Sequence, residues 1–356
     1  MKLAIIGTVG LPAKYGGFET LTEYLTKHLG GKYAITVYCS SKVYAKKLKT
    51  YNGARLKYIP LQANGVQSIL YDLVSLFSAL RYVDTILILG VSGCIVLPLV
   101  KAISNKKIIV NIDGLEWKRA KWGKFAKWFL KYSEKLAVNY ADTVISDNKV
   151  IQQYVRNVYS VDCELIAYGA NHTNKEKFTD EVFKQYSFLK DRYAFKVCRI
   201  EPENNVHMIL EAFSRYPDVN LVMVGNWQKS KYGQDLKGKY AIVKNIHLLN
   251  PIYDQHILNQ IRSNCYLYIH GHSAGGTNPS LVEAMYLELP IFAYKVNYNK
   301  ETTACSALYF KDEKELIDML ANTKEEDLSK VARKMKDIAD EKYSWEVITN
   351  QYASLF

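Results

Sequence analysis

Short apolar runs alternate with helical patterns along the whole chain, and this alternation leaves few possible folds. The runs in the first half are Lys2–Ile6, Ile35–Cys39, Leu56–Ile59, Thr85–Leu89, Ile108–Ile112 and Thr143–Ser146. The runs in the second half are Ala194–Val197, Leu221–Val224, Ile246–Leu248, Cys265–Ile269 and Ile291–Ala293. Strands that alternate with helices in this way form parallel sheets with helices on both faces. The chain is therefore predicted to be an α/β protein with two Rossmann-like, doubly wound parallel sheets.

The alternation pauses between residues 166 and 172, and a polar segment follows it. We place the domain junction there, with a first domain at 1–172 and a second at 173–340. Ligands of open α/β sheets bind beyond the carboxyl ends of the strands. Two such halves that face each other predict a ligand cleft between them.

Composition limits the partners that the chain can have. Its net charge of +12 favours an acidic partner, such as a phosphorylated substrate, an anionic lipid or a nucleic acid. The six cysteines are scattered without a C-x-x-C motif, and H-E-x-x-H and D-x-D motifs are absent, so we expect no metal. The longest stretch without Asp, Glu, Lys, Arg or His, Thr85–Val100, is shorter than the about 20 residues of a membrane span. No secretory signal is evident, and we expect a cytoplasmic protein.

The run Cys265–Ile269 leads into a glycine turn and a helix, which together predict an anion site. The turn and the helix start comprise Gly275, Gly276, Thr277, Asn278, Pro279 and Ser280. The glycines let the backbone approach a ligand, Thr277 or Asn278 can cap the helix, and proline suits its first position. Backbone N–H groups and the positive end of the helix dipole favour phosphate. Glu283, one turn inside, can accept hydrogen bonds from sugar hydroxyls, or it is simply solvated.

Arg199 follows the strand Ala194–Val197 and is predicted to lie at the same edge of the second sheet. Its guanidinium can bind a diphosphate through several donors at once. The alternative is a surface ion pair with Glu201 or Glu203. Gly225 ends a neighbouring strand at this edge.

Three of these segments resemble the donor half of a retaining GT-B glycosyltransferase of the GT4 family. They are Arg199-Ile-Glu-Pro-Glu-Asn204, Leu221-Val-Met-Val-Gly225 and Gly276-Thr-Asn-Pro-Ser-Leu-Val-Glu-Ala-Met285. The segments 7–20 and 113–119 resemble the rhamnosyltransferase-like (DUF1972-type) subgroup of bacterial surface-polysaccharide enzymes. The resemblance covers nearly the whole chain. It implies an acceptor-binding first domain, a nucleotide-sugar-binding second domain, and a helix at 341–356 that returns to the first domain.

The chain departs from the family pattern at two donor-site positions. The lysine that commonly follows the arginine by five residues is replaced by Asn204, and the first glutamate of the E-x7-E pair by Gly275. The second glutamate is Glu283, which the resemblance assigns to the ribose. Loss of the hexose-contacting glutamate disfavours a glucose-type donor and makes a deoxysugar donor such as dTDP-L-rhamnose easier to accept. Phosphate binding then depends on Arg199, the amides after Gly276 and the helix dipole.

Asp113, at the end of the strand Ile108–Ile112, is the candidate polar group near the acceptor hydroxyl or the reacting sugar. Glu19 and Glu116 are second choices, and the alternative is that Asp113 only caps the following helix. The catalytic candidates are thus Asp113, Arg199 and Glu283. The acceptor or loop candidates are Gly16, Gly17, Phe18, Glu19 and Glu116.

The segment 117–140 is rich in lysine and aromatic residues, and we predict that it is a helix. One arc, with Trp122, Phe125, Phe129, Tyr132 and Leu136, is interpreted as core packing. A second arc is interpreted as a surface that meets anionic headgroups. It contains Lys121, Lys124, Lys127, Trp128 and Lys131. No nucleic-acid motif accompanies this row.

The hypothesis is a glycosyltransferase that needs no cofactor or metal and moves L-rhamnose, with retention, from a nucleotide donor. The predicted acceptor is a polyprenyl-diphosphate-linked saccharide, and the predicted location is the inner face of the plasma membrane. The alternatives are a nucleotide-sugar epimerase of the same fold and a non-catalytic nucleotide-sugar-binding protein.

Overall fold

The computed structural model describes residues 1–14, 16–119 and 122–356. The strands are β1 (Lys2–Ile6), β2 (Ala34–Ser40), β3 (Thr50–Tyr51), β4 (Ala54–Ile59), β5 (Thr85–Leu89), β6 (Lys107–Asn111), β7 (Thr143–Ser146), β8 (Glu164–Leu165), β9 (Tyr193–Val197), β10 (Asn220–Val224), β11 (Ile246–Leu249), β12 (Leu267–His270), β13 (Ile291–Tyr294) and β14 (Leu308–Phe310).

The helices are α1 (Gly17–Leu29), α2 (Gln67–Ala79), α3 (Leu97–Ile103), α4 (Lys124–Tyr140), α5 (Lys149–Tyr159), α6 (Asp180–Gln185), α7 (Val206–Arg215), α8 (Lys231–Tyr240), α9 (Gln255–Ser263), α10 (Pro279–Tyr286), α11 (Asn297–Thr302), α12 (Glu313–Asn322), α13 (Glu325–Lys342) and α14 (Trp345–Ser354). Each predicted strand is present, with ends that differ by at most two residues. The α/β fold class with two Rossmann-like units is confirmed.

The chain divides into two compact units. The first contains Met1–Tyr168 and Trp345–Phe356, and the second contains Gly169–Ser344. The sequence analysis placed the same two transitions at 172/173 and 340/341. The helix α14 packs against α1 in the first unit, where Trp345 stacks on Tyr24 with ring centroids 4.4 Å apart.

The first unit is built on an eight-stranded sheet in the order β3-β4-β2-β1-β5-β6-β7-β8. All neighbours are parallel except the hairpin β3–β4, a departure from the predicted all-parallel sheet. The chain leaves β1 toward β2, but later strands are added on the other side, beginning with β5. The carboxyl ends of β1 and β5 therefore form a topological switch point, where ligands of such sheets bind.

The second unit has a six-stranded parallel sheet in the order β11-β10-β9-β12-β13-β14. The order reverses between β9 and β12, so the switch point lies at the ends of these two strands. Arg199 follows β9 directly, and the glycine turn follows β12. Apolar side chains of β9, β10 and β12 pack against α7 and bury one face of the sheet.

The predicted core arc of the segment 117–140 is wrong. The helix begins at Lys124, and its buried face consists of Leu130, Ser133, Glu134, Ala137 and Val138. Phe125 and Tyr132, predicted to be core, are 78% and 43% exposed. Residues 116–118 form a separate turn of 3-10 helix.

Candidate functional site

The helix α10 begins at Pro279, which was predicted to suit its first position, and Asn278, one of the two predicted candidates, is its cap. The Asn278 Oδ1 accepts hydrogen bonds from the Ser280 amide at 3.0 Å and the Ser280 hydroxyl at 2.8 Å. The Tyr268 hydroxyl of β12 donates to the Ser280 Oγ at 3.0 Å. Because the cap occupies the Ser280 amide, a phosphate here would depend on the turn amides before Asn278 and on the helix dipole.

Gly275 occupies a position that a larger residue cannot take without strain. Its φ is +127°, and a Cβ atom there would lie 2.8 Å from the Nε2 of His272. The imidazole of His272 is itself buried and held by the Asn204 Oδ1, 2.9 Å from its Nδ1. The absence of a glutamate at this position thus follows from the packing of the turn.

Asparagines fasten the β9–α7 loop to the loop after β12. Asn204 donates through Nδ2 to the carbonyl of Arg199 at 2.8 Å, and Asn205 donates to the carbonyl of Gly271 at 2.9 Å. Both are buried. The amide of Ser273 also donates to the carbonyl of Glu203 at 2.8 Å. Asn204 therefore positions both Arg199 and His272, a role that the sequence analysis did not assign to it.

Arg199 lies at the carboxyl end of β9, and its side chain is 37% exposed. Its Nε lies 3.9 Å from the Oε2 of Glu201, so the ion pair considered as an alternative is present, though long. Gly225, at the end of β10, packs so closely that a Cβ atom would lie 2.7 Å from the carbonyl of Cys198. The arginine, the turn before α10 and Gly225 all follow strands that end at one edge of the second sheet.

Glu283 is held in a buried ionic network. Its Oε2 accepts a hydrogen bond from Nη1 of Arg262, and its Oε1 lies 3.1 Å from the Nε2 of His172. Arg262 is 1% exposed, and its Nη2 donates to the Oδ1 of Asn259 at 2.7 Å. The alternative of a simply solvated glutamate does not hold, because both carboxylate oxygens contact other side chains. The carboxylate is oriented by two side chains and keeps further lone pairs for a ligand.

The network also sets the ionisation of Glu283. Burial by itself would raise the pKa of this carboxyl, but the charge of Arg262 and the contact with His172 outweigh burial and lower the pKa to about 2. Glu283 is therefore an anion throughout the neutral range, and its carboxylate can only accept hydrogen bonds.

Two buried basic side chains near this edge were missed by the sequence analysis. Lys196 of β9 is 1% exposed, and no carboxylate among the described residues pairs with it. Burial lowers its pKa. His270 of β12 is 2% exposed, and neither ring nitrogen has a hydrogen-bond partner in the described chain. A lysine within the apolar run 193–197 was the available signal for this feature.

Lys196→Met is expected to stabilise the protein by about 1–4 kcal/mol, because it removes a poorly compensated buried charge. Folding lowers the pKa of this lysine below its ordinary value of 10.5. The destabilisation by Lys196 is therefore greatest at low pH and disappears as pH rises toward 10.5. Urea unfolding at several pH values measures this difference. The exposed Lys190→Met serves as control, and an equal or lower stability of Lys196→Met at neutral pH would contradict the expectation.

Acidic side chains gather at the carboxyl edge of the first sheet. Asp113 follows β6 with φ +59°, and its amide donates to the Oδ1 of Asn111 at 2.9 Å. The next helical turn begins after Leu115 without a side-chain cap, so Asp113 is not that cap. Burial raises the pKa of Glu19, and the charge of Asp113 raises it further. Asp147, directly after β7 and buried, was not predicted.

Glu19 holds the loop after β1. Its Oε1 accepts hydrogen bonds from the amide of Val9 at 2.7 Å and the hydroxyl of Thr8 at 3.2 Å. Gly16 has φ +136°, and a Cβ atom there would lie 1.9 Å from the Oε2 of Glu19. Gly17 and Phe18 then begin α1. Gly16, Gly17, Phe18 and Glu19 thus lie between β1 and the first turn of α1, next to the switch point between β1 and β5.

Glu116 binds within its own loop. Its Oε2 lies 2.7 Å from the Nε of Arg119, and its Oε1 accepts a hydrogen bond from the indole of Trp122 at 3.1 Å. Of the predicted membrane row, Lys124, Trp128 and Lys131 are exposed and Lys127 is half-buried. Lys121 lies outside the described residues.

In 1–14, 16–119 and 122–356, no group of three or more His, Cys, Asp or Glu side chains is arranged to hold a metal ion. In the same ranges, no helix combines the length and the hydropathy that crossing a membrane requires.

Several solved structures share this fold over nearly their whole length. Sucrose-phosphate synthase from Thermosynechococcus elongatus has a TM-score of 0.81 at 16% identity, with 99% of this chain and 98% of that one covered. Anabaena HepE in complex with UDP and glucose has a TM-score of 0.76 at 15% identity, with 99% of this chain and 98% of that one covered. An α,α-trehalose 6-phosphate synthase from Burkholderia multivorans has a TM-score of 0.71 at 10% identity, with 99% of this chain and 96% of that one covered. At these identities the likeness establishes the fold.

Family models match the two halves separately. Residues 1–171 match DUF1972, a domain of unknown function, and residues 178–338 match glycosyl transferases group 1. The second match contains Arg199, the turn before α10 and Glu283. The chain thus has the GT-B fold, with a DUF1972 domain at residues 1–171 and a glycosyl transferases group 1 domain at residues 178–338.

Proposed function

We propose that this protein transfers L-rhamnose from dTDP-L-rhamnose, with retention of anomeric configuration, to a polyprenyl-diphosphate-linked saccharide in bacterial surface-polysaccharide synthesis. It works without metal or cofactor, in the cytoplasm, on the inner face of the plasma membrane. The observation that carries the proposal is the convergence of Arg199, the turn before α10 and the oriented carboxylate of Glu283 at one switch point.

Each part of this edge matches one part of a nucleotide-sugar. The dipole of α10, the turn amides and the guanidinium of Arg199 suit the diphosphate. The anionic Glu283, aimed by Arg262 and His172, suits the ribose hydroxyls. HepE, whose fold this chain shares, has been solved with UDP and glucose, which supports a donor of this class.

The reaction requires stabilisation of charge on the leaving diphosphate. The bond between the sugar and the diphosphate oxygen breaks as the sugar gains oxocarbenium character. Arg199 and fixed N–H donors stabilise the oxygens on which the negative charge grows. An acceptor hydroxyl then bonds to the anomeric carbon, and its proton passes to an oxygen of the departing diphosphate. Asp113 is the proposed polar group near this hydroxyl, and its charge adds to the burial that raises the pKa of Glu19.

The donor sugar is inferred from the turn at Gly275. A side chain there would meet the buried His272, so no carboxylate can reach the hexose from this position. A sugar with fewer hydroxyls to bind, such as L-rhamnose, suits such a turn. A thermal-shift screen of dTDP-, UDP- and GDP-sugars tests this choice, and dTDP-L-rhamnose should give the largest rise in Tm. A larger rise with UDP-glucose would contradict it.

The activity is tested with labelled donors and a polyprenyl-diphosphate-linked saccharide. We expect labelled sugar in the lipid fraction, with the anomeric configuration of the donor. Recovery of an epimerised free donor would instead identify an epimerase. Saturable binding without turnover of any donor would identify a non-catalytic binding protein.

The membrane contact is proposed to involve the row of α4. Lys124→Glu/Lys127→Glu/Lys131→Glu should lose co-sedimentation with anionic vesicles, because each basic residue near such a surface contributes about 1 kcal/mol. The control is Lys184→Glu/Lys190→Glu/Lys244→Glu in the second unit. Each change lowers the charge by two, so both triples take +12 to +6. Equal sedimentation of the two triples would remove α4 from the membrane contact.

A further inference from the structure

An apolar face that the sequence analysis did not identify lies on α2 and α3 of the first unit. Leu70, Val74 and Phe77 project from α2 at helical spacing and are 56%, 46% and 37% exposed. Leu99 and Ile103 project from α3 and are 52% and 61% exposed. Isolated exposed apolar residues are ordinary, but rows of this kind mark interaction surfaces.

The topology places these rows beside the aromatic row of α4. The connections β4–β5, β5–β6 and β6–β7 all run in one direction across the sheet. Right-handed crossovers therefore put α2, α3 and α4 on the same face. Phe77 of α2 and Ile103 of α3 line one groove of about 480 Å³, together with Arg81 and Lys106. The helix α3 packs against α4, where Trp128 stacks on Tyr132.

Within the three helices of this face, the exposed charged side chains are all basic. Within α2, α3 and α4, all of whose residues the structure describes, the acidic residues are Asp72 and Glu134. Both are buried, at 5% and 1% exposure. Burial raises the pKa of each, that of Asp72 to about 8. The basic residues of these helices are Lys101, Lys124, Lys127, Lys131 and Lys135, with Arg81 and Lys106 just beyond the helix ends. The exposed acids Asp84 and Asp142 also lie just beyond the helix ends, and Asp142 pairs with Lys101 at 2.7 Å, so the excess of positive charge belongs mainly to α4.

We propose that the face formed by α2 and α3 inserts its apolar side chains into the interfacial region of an anionic bilayer. Apolar rows flanked by basic residues, on helices that carry no exposed acid of their own, are the pattern of helices that lie in the plane of a membrane surface. The inference extends the membrane contact proposed for α4, and it does not depend on the sugar or the reaction.

The apolar contribution of α2 and α3 to vesicle binding can be measured separately from the contribution of the lysines of α4. At 0.5 M salt the Debye length is only about 4 Å, so binding through lysines is screened while apolar insertion persists. Flotation with phosphatidylcholine/phosphatidylglycerol vesicles, at 0.05 and 0.5 M NaCl, measures both. Leu70→Asn/Ile103→Asn should weaken partitioning at least tenfold at 0.5 M NaCl. The control Val158→Asn/Ile242→Asn removes comparably exposed apolar residues elsewhere and should leave partitioning unchanged.

Two outcomes would overturn the proposal. One is equal partitioning of Leu70→Asn/Ile103→Asn and its control. The other is dimerisation of the parent protein through this face, measured by light scattering, combined with a Leu70→Asn/Ile103→Asn variant that is monomeric but still binds vesicles as the parent does. Nucleoside-diphosphate binding by the same variant should stay unchanged. Vesicle binding can therefore fail without loss of the donor site, and sugar transfer can fail while vesicle binding persists.

Discussion

Glu283→Ala is expected to lower the free energy of unfolding by about 3–5 kcal/mol and to abolish sugar transfer. The loss of stability arises because Arg262, 1% exposed, would remain buried without its carboxylate. Its Nε already has no hydrogen-bond partner among the described residues, so little is left to compensate the charge. Urea unfolding followed by circular dichroism measures the change.

Glu288→Ala is the matched control, two residues beyond the end of the same helix. Glu288 pairs with Lys175 at 2.7 Å, but the two side chains are 37% and 58% exposed. Such a pair contributes about 0–1 kcal/mol. Similar losses for the two variants would show that the Glu283 network is not buried in solution.

The same network predicts an acid dependence. The pKa of Glu283 falls from its ordinary value of 4.5 to about 2 on folding. A group with a depressed pKa adds stability that is full above its unfolded value and is lost as pH falls through its folded value. The stability difference between the parent and Glu283→Gln should therefore shrink by roughly 3 kcal/mol between pH 4.5 and 2. A difference that stays constant over this range would contradict the assignment.

Arg199→Ala is expected to lower kcat/KM for transfer about 100- to 1000-fold, because it removes a donor aimed at the charge on the leaving diphosphate. Stability should change little, since the side chain is 37% exposed and its contact with Glu201 is 3.9 Å long. Steady-state kinetics with labelled donor measures the effect.

Arg199→Lys tests whether charge alone suffices. A lysine keeps the charge but cannot present two parallel N–H donors, so it should recover only part of the rate. Arg215→Ala, an exposed arginine at the end of α7, is the control and should keep the parent rate. A parent-like rate for Arg199→Ala would remove this residue from the donor site.

The sequence predicted the sheets well because buried parallel strands are continuous apolar runs, which are read without knowledge of neighbours. It also limited the cap of α10 to Thr277 or Asn278, since a cap depends on adjacent residues alone, and the cap is Asn278. It failed where distant residues meet. His172 and Arg262 lie 111 and 21 residues from Glu283, and no local pattern pairs them with it.

The buried face of α4 shows a second limit of prediction from the sequence. Helical periodicity gives two arcs but does not say which one the sheet covers. Here the buried arc contains Glu134, whose carboxylate accepts hydrogen bonds from Trp117, Tyr154 and Tyr159 at 3.1, 2.7 and 2.8 Å. Polarity alone assigns such a residue to solvent, so Phe125 was placed in the core instead.

The claim on which the rest depends is that the edge formed by Arg199 and the turn before α10 binds a diphosphate. Calorimetric titration of the second-unit site with UDP, dTDP and GDP, and with the parent nucleosides, in the presence of EDTA, tests it. We predict one site per chain for at least one nucleoside diphosphate, at least tenfold tighter than for its nucleoside and weakened by Arg199→Ala. A nucleoside that binds as tightly as its diphosphate, or the absence of binding by all three diphosphates, would contradict it.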